Sequence, residues 1–363
     1  MRHRFHSICP YFAMFPEAFV ENHLAASPHR GVVFDPFCGR GTAVFQALLQ
    51  DREAAGCDVN PVAVCISGAK CDPPEQRQVE TRLTELRNSF SKAGENQWEG
   101  KHAEFFEHCF HRDTLPQVLY LRSVLDWRRS KVDRFIAALC LGSLHGESDR
   151  SPSYFSNRMP RTISTKPDYS VGWWQRNGYE PPQRDVFRIL ERITIYRFQT
   201  LPPERIGNVK EVDARNAGKD FQEIKGRVSD VITSPPYLNT TNYREDQWLR
   251  LWFLGDDHPL VSCNGGDDRH HSEDRYWEFL RSAWAGISPL CSQQVRLVVR
   301  IGSRQQNKDT LRDGLVQSLT QGLNRPVNLV NEGTSSKIIN TQANAFRGSK
   351  VSQLTEHDFL FTV

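Results

Sequence analysis

Short apolar runs that end in an acidic residue mark both ends of this chain. Val32-Val33-Phe34-Asp35 follows Gly31 and leads into the turn Pro36-Phe37-Cys38-Gly39-Arg40-Gly41, so it reads as a buried strand. Beyond the turn, Thr42-Ala43-Val44-Phe45-Gln46-Ala47-Leu48-Leu49 repeats its apolar residues at helical spacing. Ala54-Ala55-Gly56-Cys57-Asp58 predicts a second strand, and Asn60-Pro61 opens another helix with proline at its first position. A strand, turn, helix and strand in this order define the α/β class. The pattern resumes with strands predicted over 209–213, 228–233, 295–301 and 358–363. The second of these runs directly into Ser234-Pro235-Pro236-Tyr237. Over 66–208 the alternation is absent, and helical stretches such as 134–144 are separated by Pro-, Ser- and Tyr-rich loops, which reads as an insertion carried by the α/β domain.

Composition narrows the class. The chain has 363 residues, enough to build a core without disulfides or metal staples, and its length suits two domains or one with a large insertion. No apolar run approaches the ~20 residues that cross a bilayer, and the start Met1-Arg2-His3-Arg4-Phe5-His6 has no secretory cleavage pattern, so a cytoplasmic protein is expected. The nine cysteines contain no C-x-x-C pair, which argues against a disulfide framework and a zinc ribbon. No metal site is expected, since His102, His108, Cys109 and His111 fit no common zinc spacing.

Charge is unevenly spread. The net charge is +3, but residues 147–210 alone hold 11 basic and 7 acidic side chains, leaving the remainder slightly negative. Within that segment Arg150, Arg158, Arg161, Lys166 and Arg176 are interleaved with Tyr154, Phe155, Tyr169, Trp173 and Trp174, and Asp168 is the only acid among them. Cations neutralise phosphates and flat rings stack on bases, so this stretch is a candidate nucleic-acid surface; a solvated charged face over a small aromatic core is the plainer alternative.

Two local motifs carry candidate chemistry. Glycines two apart between a strand and a helix let the backbone approach a ligand and aim helix N-terminal amides at it, a geometry suited to a dinucleotide or to S-adenosylmethionine. A dinucleotide fingerprint needs a third glycine at position 44, where Val44 stands, so the nicotinamide reading drops. Asp58 follows Asp35 by 23 residues, close to the ~20-residue offset at which a carboxylate takes ribose hydroxyls, and Asp213 ends another predicted strand, where it could accept an adenine amine. In Thr233-Ser234-Pro235-Pro236-Tyr237 the consecutive prolines remove two N–H donors, leaving carbonyl acceptors beside an aromatic ring. An exocyclic base amine needs such acceptors for its hydrogens and a ring to stack its base on.

Asp35-Pro36-Phe37-Cys38-Gly39-Arg40-Gly41-Thr42 together with Ser234-Pro235-Pro236-Tyr237 resembles the amino-methyltransferases of DNA, which modify cytosine N4 or adenine N6. The resemblance covers about residues 1–65 and 209–301, and more weakly the closing strand. It implies a Rossmann-like, mostly parallel methyltransferase sheet with helices on both faces plus a large, mainly helical and loop insertion. Residues 1–65 and 209–363 would form the catalytic domain and 66–208 the target-recognition region. It implies S-adenosyl-L-methionine as cofactor, held by Phe15, Asp35, Pro36, Phe37, Gly39, Gly41, Thr42, Asp58, Asn60 and Asp213, with Phe15-Pro16 packing under its methionine part. Ser234, Pro235, Pro236 and Tyr237 would be the catalytic residues, and Ser at the motif's first position favours cytosine N4 over adenine N6. Double-stranded DNA is the implied partner, contacted through Arg158, Arg161, Lys166 and Arg176, and a cognate restriction nuclease is compatible with the reading. In many relatives the Ser-Pro-Pro-Tyr motif comes first; here the glycine turn does, and the long insertion precedes Asp213.

Other readings remain beside it. A transfer-RNA guanine-N2 methyltransferase has a similar glycine turn but usually an acid where Ser234 stands, and a non-catalytic DNA-binding module would keep the fold alone. Cys38 is not expected to be a nucleophile, because carbon-5 cytosine methylation uses a Pro-Cys pair late in the sheet and the chain offers only Cys9-Pro10 in reverse order. Asn239, Asn242 and Tyr243 could line a base pocket, Leu249, Leu251, Trp252, Phe253 and Leu254 are expected in a helix core, and 267–271 reads as a mobile polar loop.

Overall fold

The computed structural model describes residues 2–11, 16–90, 98, 100–146, 152–159, 167–238, 243–257, 272–303, 305–331, 334–337 and 355–363. The chain divides into two compact units, one made of 13–67, 203–241 and 263–363, the other of 1–12, 68–202 and 242–262. Residues 1–12 and 242–262 thus cluster with the middle of the chain.

The first unit is built on one sheet. Its strands are β1 (Val32–Asp35), β2 (Ala54–Asp58), β3 (Asn208–Glu211), β4 (Val228–Thr233), β5 (Cys291–Ser303), β6 (Asn328–Asn331), β7 (Ser335–Lys337) and β8 (Thr355–Thr362). The spatial order is β3-β2-β1-β4-β5-β8-β6, with β7 paired to β8. The pairs from β3 through β5 are parallel, while β8 runs antiparallel to β5, β6 and β7. Every residue of β1 and β4 is buried, as a parallel strand covered on both faces requires.

Alternation along the strands sends side chains to two helical layers. Phe34, Val231, Leu297, Val299, Phe359 and Phe361 share a core with Leu280, Ala283 and Trp284 of the Glu273–Ile287 helix and with Leu311, Leu315 and Leu319 of the Lys308–Leu323 helix. On the opposite face the Thr42–Leu49 helix packs on β1 and β2, and the Glu17–Ala25 helix packs on it in turn. Arg296 and Arg300 of β5 reach that outer helix, the first donating to the His23 carbonyl at 2.8 Å and the second lying 4.2 Å over the Phe19 ring. This is the expected α/β sheet with helices on both faces. Strand β3 stops at Glu211, so Asp213 lies beyond it and caps a short turn at Ala214–Asn216.

One feature of the strand order positions the site. From β1 the chain winds outward through β2 to β3, and from β4 it winds the other way to β5. The connections therefore diverge between β1 and β4, and at such a switch point open α/β sheets bind ligands beyond the carboxyl ends of the strands. Asp35 ends β1 and Ser234 follows β4.

The described elements of the second unit are helices, among them Gln76–Ser89, Ala103–Cys109, Leu115–Val124, Lys131–Ser143, Pro167–Asn177, Val186–Phe198 and Tyr243–Phe253. Its core is aromatic: Phe105 packs on Trp174 and Trp248, and Phe106 on Trp252. Leu249, Leu251, Trp252 and Phe253 are buried in this helical core, as the sequence predicts. Among the described residues no helix is long and apolar enough to cross a membrane.

Candidate active site

The ends of β1, β2 and β4 are joined at their carboxyl rim by side-chain hydrogen bonds. Thr233, the last residue of β4, donates its hydroxyl to Asp35 Oδ1 at 2.6 Å, and the Phe37 amide donates to the same oxygen at 3.1 Å. Cys38 donates its amide to the Cys57 carbonyl at 3.0 Å, closing the turn against β2. Gly39 and Gly41 take φ of 49° and 71°, left-handed values that glycine adopts without Cβ strain, and Gly41 starts the Thr42–Leu49 helix. Gly56 lies opposite Asp35, and a Cβ there would come within 2.8 Å of the Asp35 carbonyl oxygen and 3.1 Å of the Cys38 Cβ. The turn can settle onto β2 only because that position lacks a side chain.

Asp35 is fully buried. Desolvation pushes its carboxyl up to about 7, against the lowering effect of the Thr233 and Phe37 hydrogen bonds, and the charge of Asp58 adds to the rise. An acid whose folded-state pKa is raised is stabilising below its unfolded value, and that contribution is lost as pH climbs through the folded one. The unit should lose on the order of 4 kcal/mol from this group between pH 3.8 and about 7, at 1.36 kcal/mol per unit. Asp35→Asn keeps an acceptor for Thr233 and Phe37 and removes the titration. Urea unfolding across this range should show the variant gaining on wild type as pH rises; parallel curves would refute the assignment.

Asp58, the candidate ribose acceptor, is held by two backbone amides. Its Oδ2 accepts from the Gly39 amide at 2.9 Å and its Oδ1 from the Asn60 amide at 2.9 Å, so the group is fixed in orientation. Held in this orientation, a carboxylate suits the two hydroxyls of a vicinal diol. Asn60 acts locally, accepting from the Val62 amide at the start of the Pro61–Cys71 helix. Val59, between them, is 49% exposed and offers an apolar surface beside the carboxylate. Asp213 is gripped by Arg215, which donates to its two oxygens at 3.0 and 2.7 Å. These residues fit a ligand with nucleoside and amino-acid parts: a glycine turn for close backbone approach, an oriented carboxylate and an apolar wall. Arg40 and Glu17, neither singled out from sequence, pair at 2.9 Å and tie the turn to the Glu17–Ala25 helix. Phe15 lies outside the described residues, as do Asn239, Asn242 and the 267–271 segment.

The Ser-Pro-Pro-Tyr segment leaves β4 beside this turn. Pro235 is buried and Ser234 and Pro236 are half-buried. Tyr237 is 6% exposed, and its ring lies against Gly302 of β5, where an added Cβ would stand 3.1 Å from the ring. Ser234 donates to the Tyr237 hydroxyl at 3.2 Å, and that hydroxyl donates to Glu356 Oε1 of β8 at 2.9 Å. Burial and the charge of Glu356 hold the Tyr237 phenol well above its ordinary value, so it stays protonated. Burial also raises the Cys38 thiol well above its usual range, which agrees with a structural role for it in the turn.

The basic stretch divides on inspection. Phe155 and Trp174 are fully buried core residues and cannot stack on bases. Tyr169 is half exposed, Arg176 is exposed, and the Arg158 guanidinium lies 4.1 Å over the Tyr179 ring. Arg161 and Lys166 lie outside the described residues.

The chain thus has a Rossmann-like α/β sheet whose rim brings together a glycine turn, an oriented carboxylate and the Ser-Pro-Pro-Tyr segment. A family model described as DNA methylase, covering N6 and N4 methyltransferases, matches residues 3–67, which include the glycine turn. The type II methyltransferase M.MvaI of Kocuria varians is 24% identical over 270 residues, 69% of this chain and 56% of that protein, so the match spans little more than half of the relative's length. Over its first 67 residues the chain is thus similar to N6/N4 DNA methylases, and over 270 residues to a type II methyltransferase. Among solved structures, an rRNA methyltransferase, aviRa, of Streptomyces viridochromogenes is 11% identical with a TM-score of 0.32, covering 99% of this chain and 94% of its own. A Pyrococcus horikoshii protein named as a putative RNA methyltransferase is 11% identical with a TM-score of 0.32, covering 95% of this chain and 80% of its own.

Proposed function

We propose that the protein methylates the exocyclic N4 amine of cytosine in double-stranded DNA by direct attack of that amine on S-adenosylmethionine. The observation that carries this reading is the 2.6 Å hydrogen bond from Thr233 to Asp35, which sets Ser-Pro-Pro-Tyr beside the glycine turn at the β1/β4 switch point. Ser at position 234 favours cytosine over adenine N6, by the family's usage.

When bound, S-adenosylmethionine supplies an electrophilic methyl on a positively charged sulfur. The glycine turn, Asp58 and Asp213 would hold it. The cytosine amine is conjugated into its ring and nucleophilically weak. Ser234 and the Pro235 carbonyl accept its hydrogens, favouring a pyramidal nitrogen whose lone pair faces the switch point. Tyr237 stacks on the base. Holding the reactants at near-attack distance is worth ~7–11 kcal/mol. The target leaves the duplex to reach this turn, at a cost of a few kcal/mol. No covalent bond to the protein is needed.

The helical unit containing 68–202 is assigned to target recognition, and a cognate restriction nuclease is in keeping with the type II relative. The setting is the cytoplasm, where genomic DNA is directly reachable. Arg158→Ala with Arg176→Ala should weaken DNA binding and reduce the salt slope of log K by about 1 per phosphate contact removed. Fluorescence anisotropy across a salt series measures it, and an unchanged slope would move the DNA-facing surface elsewhere.

Tritium transfer from labelled S-adenosylmethionine onto DNA and onto transfer RNA tests the function. Label on DNA, recovered as 4-methylcytosine after nucleoside digestion, is the expected result. Recovery as 6-methyladenine would correct the base, label on transfer RNA alone would favour the guanine-N2 reading, and label on neither would leave a binding module.

A further inference from the structure

Methylating an amine releases a proton, and the turn that holds the amine opens onto a directed chain of hydroxyls. We propose that Glu356 of β8 receives that proton through the hydroxyls of Ser234 and Tyr237, a role that rests on the amino-methyltransferase reading above. The chain is polarised in one direction: Ser234 Oγ donates to the Tyr237 hydroxyl at 3.2 Å, which donates to Glu356 Oε1 at 2.9 Å. Gly302 pairs with Glu356 across β5 and β8 and makes room for the tyrosine ring that spans the gap.

The step balances. As the nitrogen–carbon bond forms from the amine lone pair, the carbon–sulfur bond breaks and its electron pair stays on sulfur. The N–H bond then breaks with its pair left on nitrogen. The proton goes to Ser234 Oγ, the serine proton to Tyr237 and the tyrosine proton to Glu356. The positive charge that entered on sulfur ends by neutralising the carboxylate, which returns the proton to water.

The surroundings of Glu356 suit an acceptor. Arg300 of β5 stands 3.7 Å away and makes a bidentate pair with Asp358 at 2.6 and 2.8 Å. Burial raises the Glu356 carboxyl, the Tyr237 hydrogen bond and Arg300 draw it back, and Asp358 adds to the rise. Since only the ionised form can accept, turnover should fall as pH drops through a pKa above the ordinary carboxylate range. Glu356 touches neither base nor cofactor in this scheme and acts through Tyr237, so it is a positioning and proton-accepting residue.

The test compares the pH dependence of kcat for wild type, Glu356→Gln, Tyr237→Phe and the double variant, with tritium transfer to DNA as readout and thermal melting as a fold control. Gln still accepts from the tyrosine hydroxyl and cannot take its proton. Both single variants should lose about 100-fold in kcat, the low end for general acid–base assistance, keep KM for cofactor and DNA, and lose the acid limb; the double variant should be no worse. Wild-type kcat in Glu356→Gln, or a slowed variant that retains the acid limb, would overturn the relay while leaving the transferase reading intact. Absence of label from the wild-type protein would instead overturn both.

Discussion

Tyr237→Ala is expected to lower turnover by about three to four orders of magnitude while leaving cofactor affinity close to wild type. Base-to-ring stacking is worth ~1–3 kcal/mol, and loss of that face alone accounts for roughly 5- to 150-fold. The hydroxyl's link between Ser234 and Glu356 goes with it. Cofactor affinity should hold because the oriented carboxylates of Asp58 and Asp213 stand beyond β2 and β3, on the other side of β1 from the tyrosine. Single-turnover methyl transfer measures the first quantity and calorimetric titration with S-adenosylmethionine the second. Loss of cofactor affinity with transfer intact would remove Tyr237 from the base site. The ring is also buried against Gly302, so its deletion leaves a cavity and a stability loss of several kcal/mol, on the scale of ~3–5 kcal/mol for large aromatics. Tyr237→Phe, which keeps the packing, separates this effect from the chemical one.

Asp230→Ala should cost folding stability without touching the reaction. Asp230 is buried in β4, where it accepts from Arg52 at 2.8 Å and from Ser27 at 2.6 Å, and Arg296 lies 3.8 Å away. Arg52 also donates to the Gly31 carbonyl at 2.7 Å, so one guanidinium fastens the start of β1 to β4. Removing the carboxylate leaves a buried guanidinium without its countercharge, a change that costs ~3–5 kcal/mol, whereas replacing a whole buried pair by packed apolar residues can be neutral. Urea denaturation of Asp230→Ala should show this loss with an unchanged slope. A shift under ~1 kcal/mol, the worth of an exposed pair, would mean that water reaches the site. Because the pair lies at the amino ends of the strands and the proposed transfer site at their carboxyl ends, any folded fraction should keep whatever transfer activity the wild type shows per molecule.

Local chain chemistry made much of this molecule readable. Strands β1, β2 and β4 were visible because a parallel strand covered on both faces must be apolar throughout, and the glycine turn because left-handed backbone demands glycine at positions 39 and 41. The exposed edges β6 and β7 carry no such constraint and left no pattern to read. Strand β5 proved longer than its apolar stretch, since its first residues satisfy the backbone without needing apolar side chains. Composition left Phe155 and Trp174 open between a base-stacking surface and an aromatic core, because spacing alone does not say which way a ring faces; both lie in the core.

What the residues determine alone is the type of chemistry at each point: a bend that admits a ligand, a carboxylate at a strand end, carbonyls stripped of competing donors. Which of them meet is a property of strand order. Thr233 reaches Asp35 across 198 positions and Tyr237 reaches Glu356 across 119, and no local pattern links either pair. The hydrogen bonds exist because β4 lies beside β1 and β8 beside β5, a pairing set by burial of both sheet faces at once.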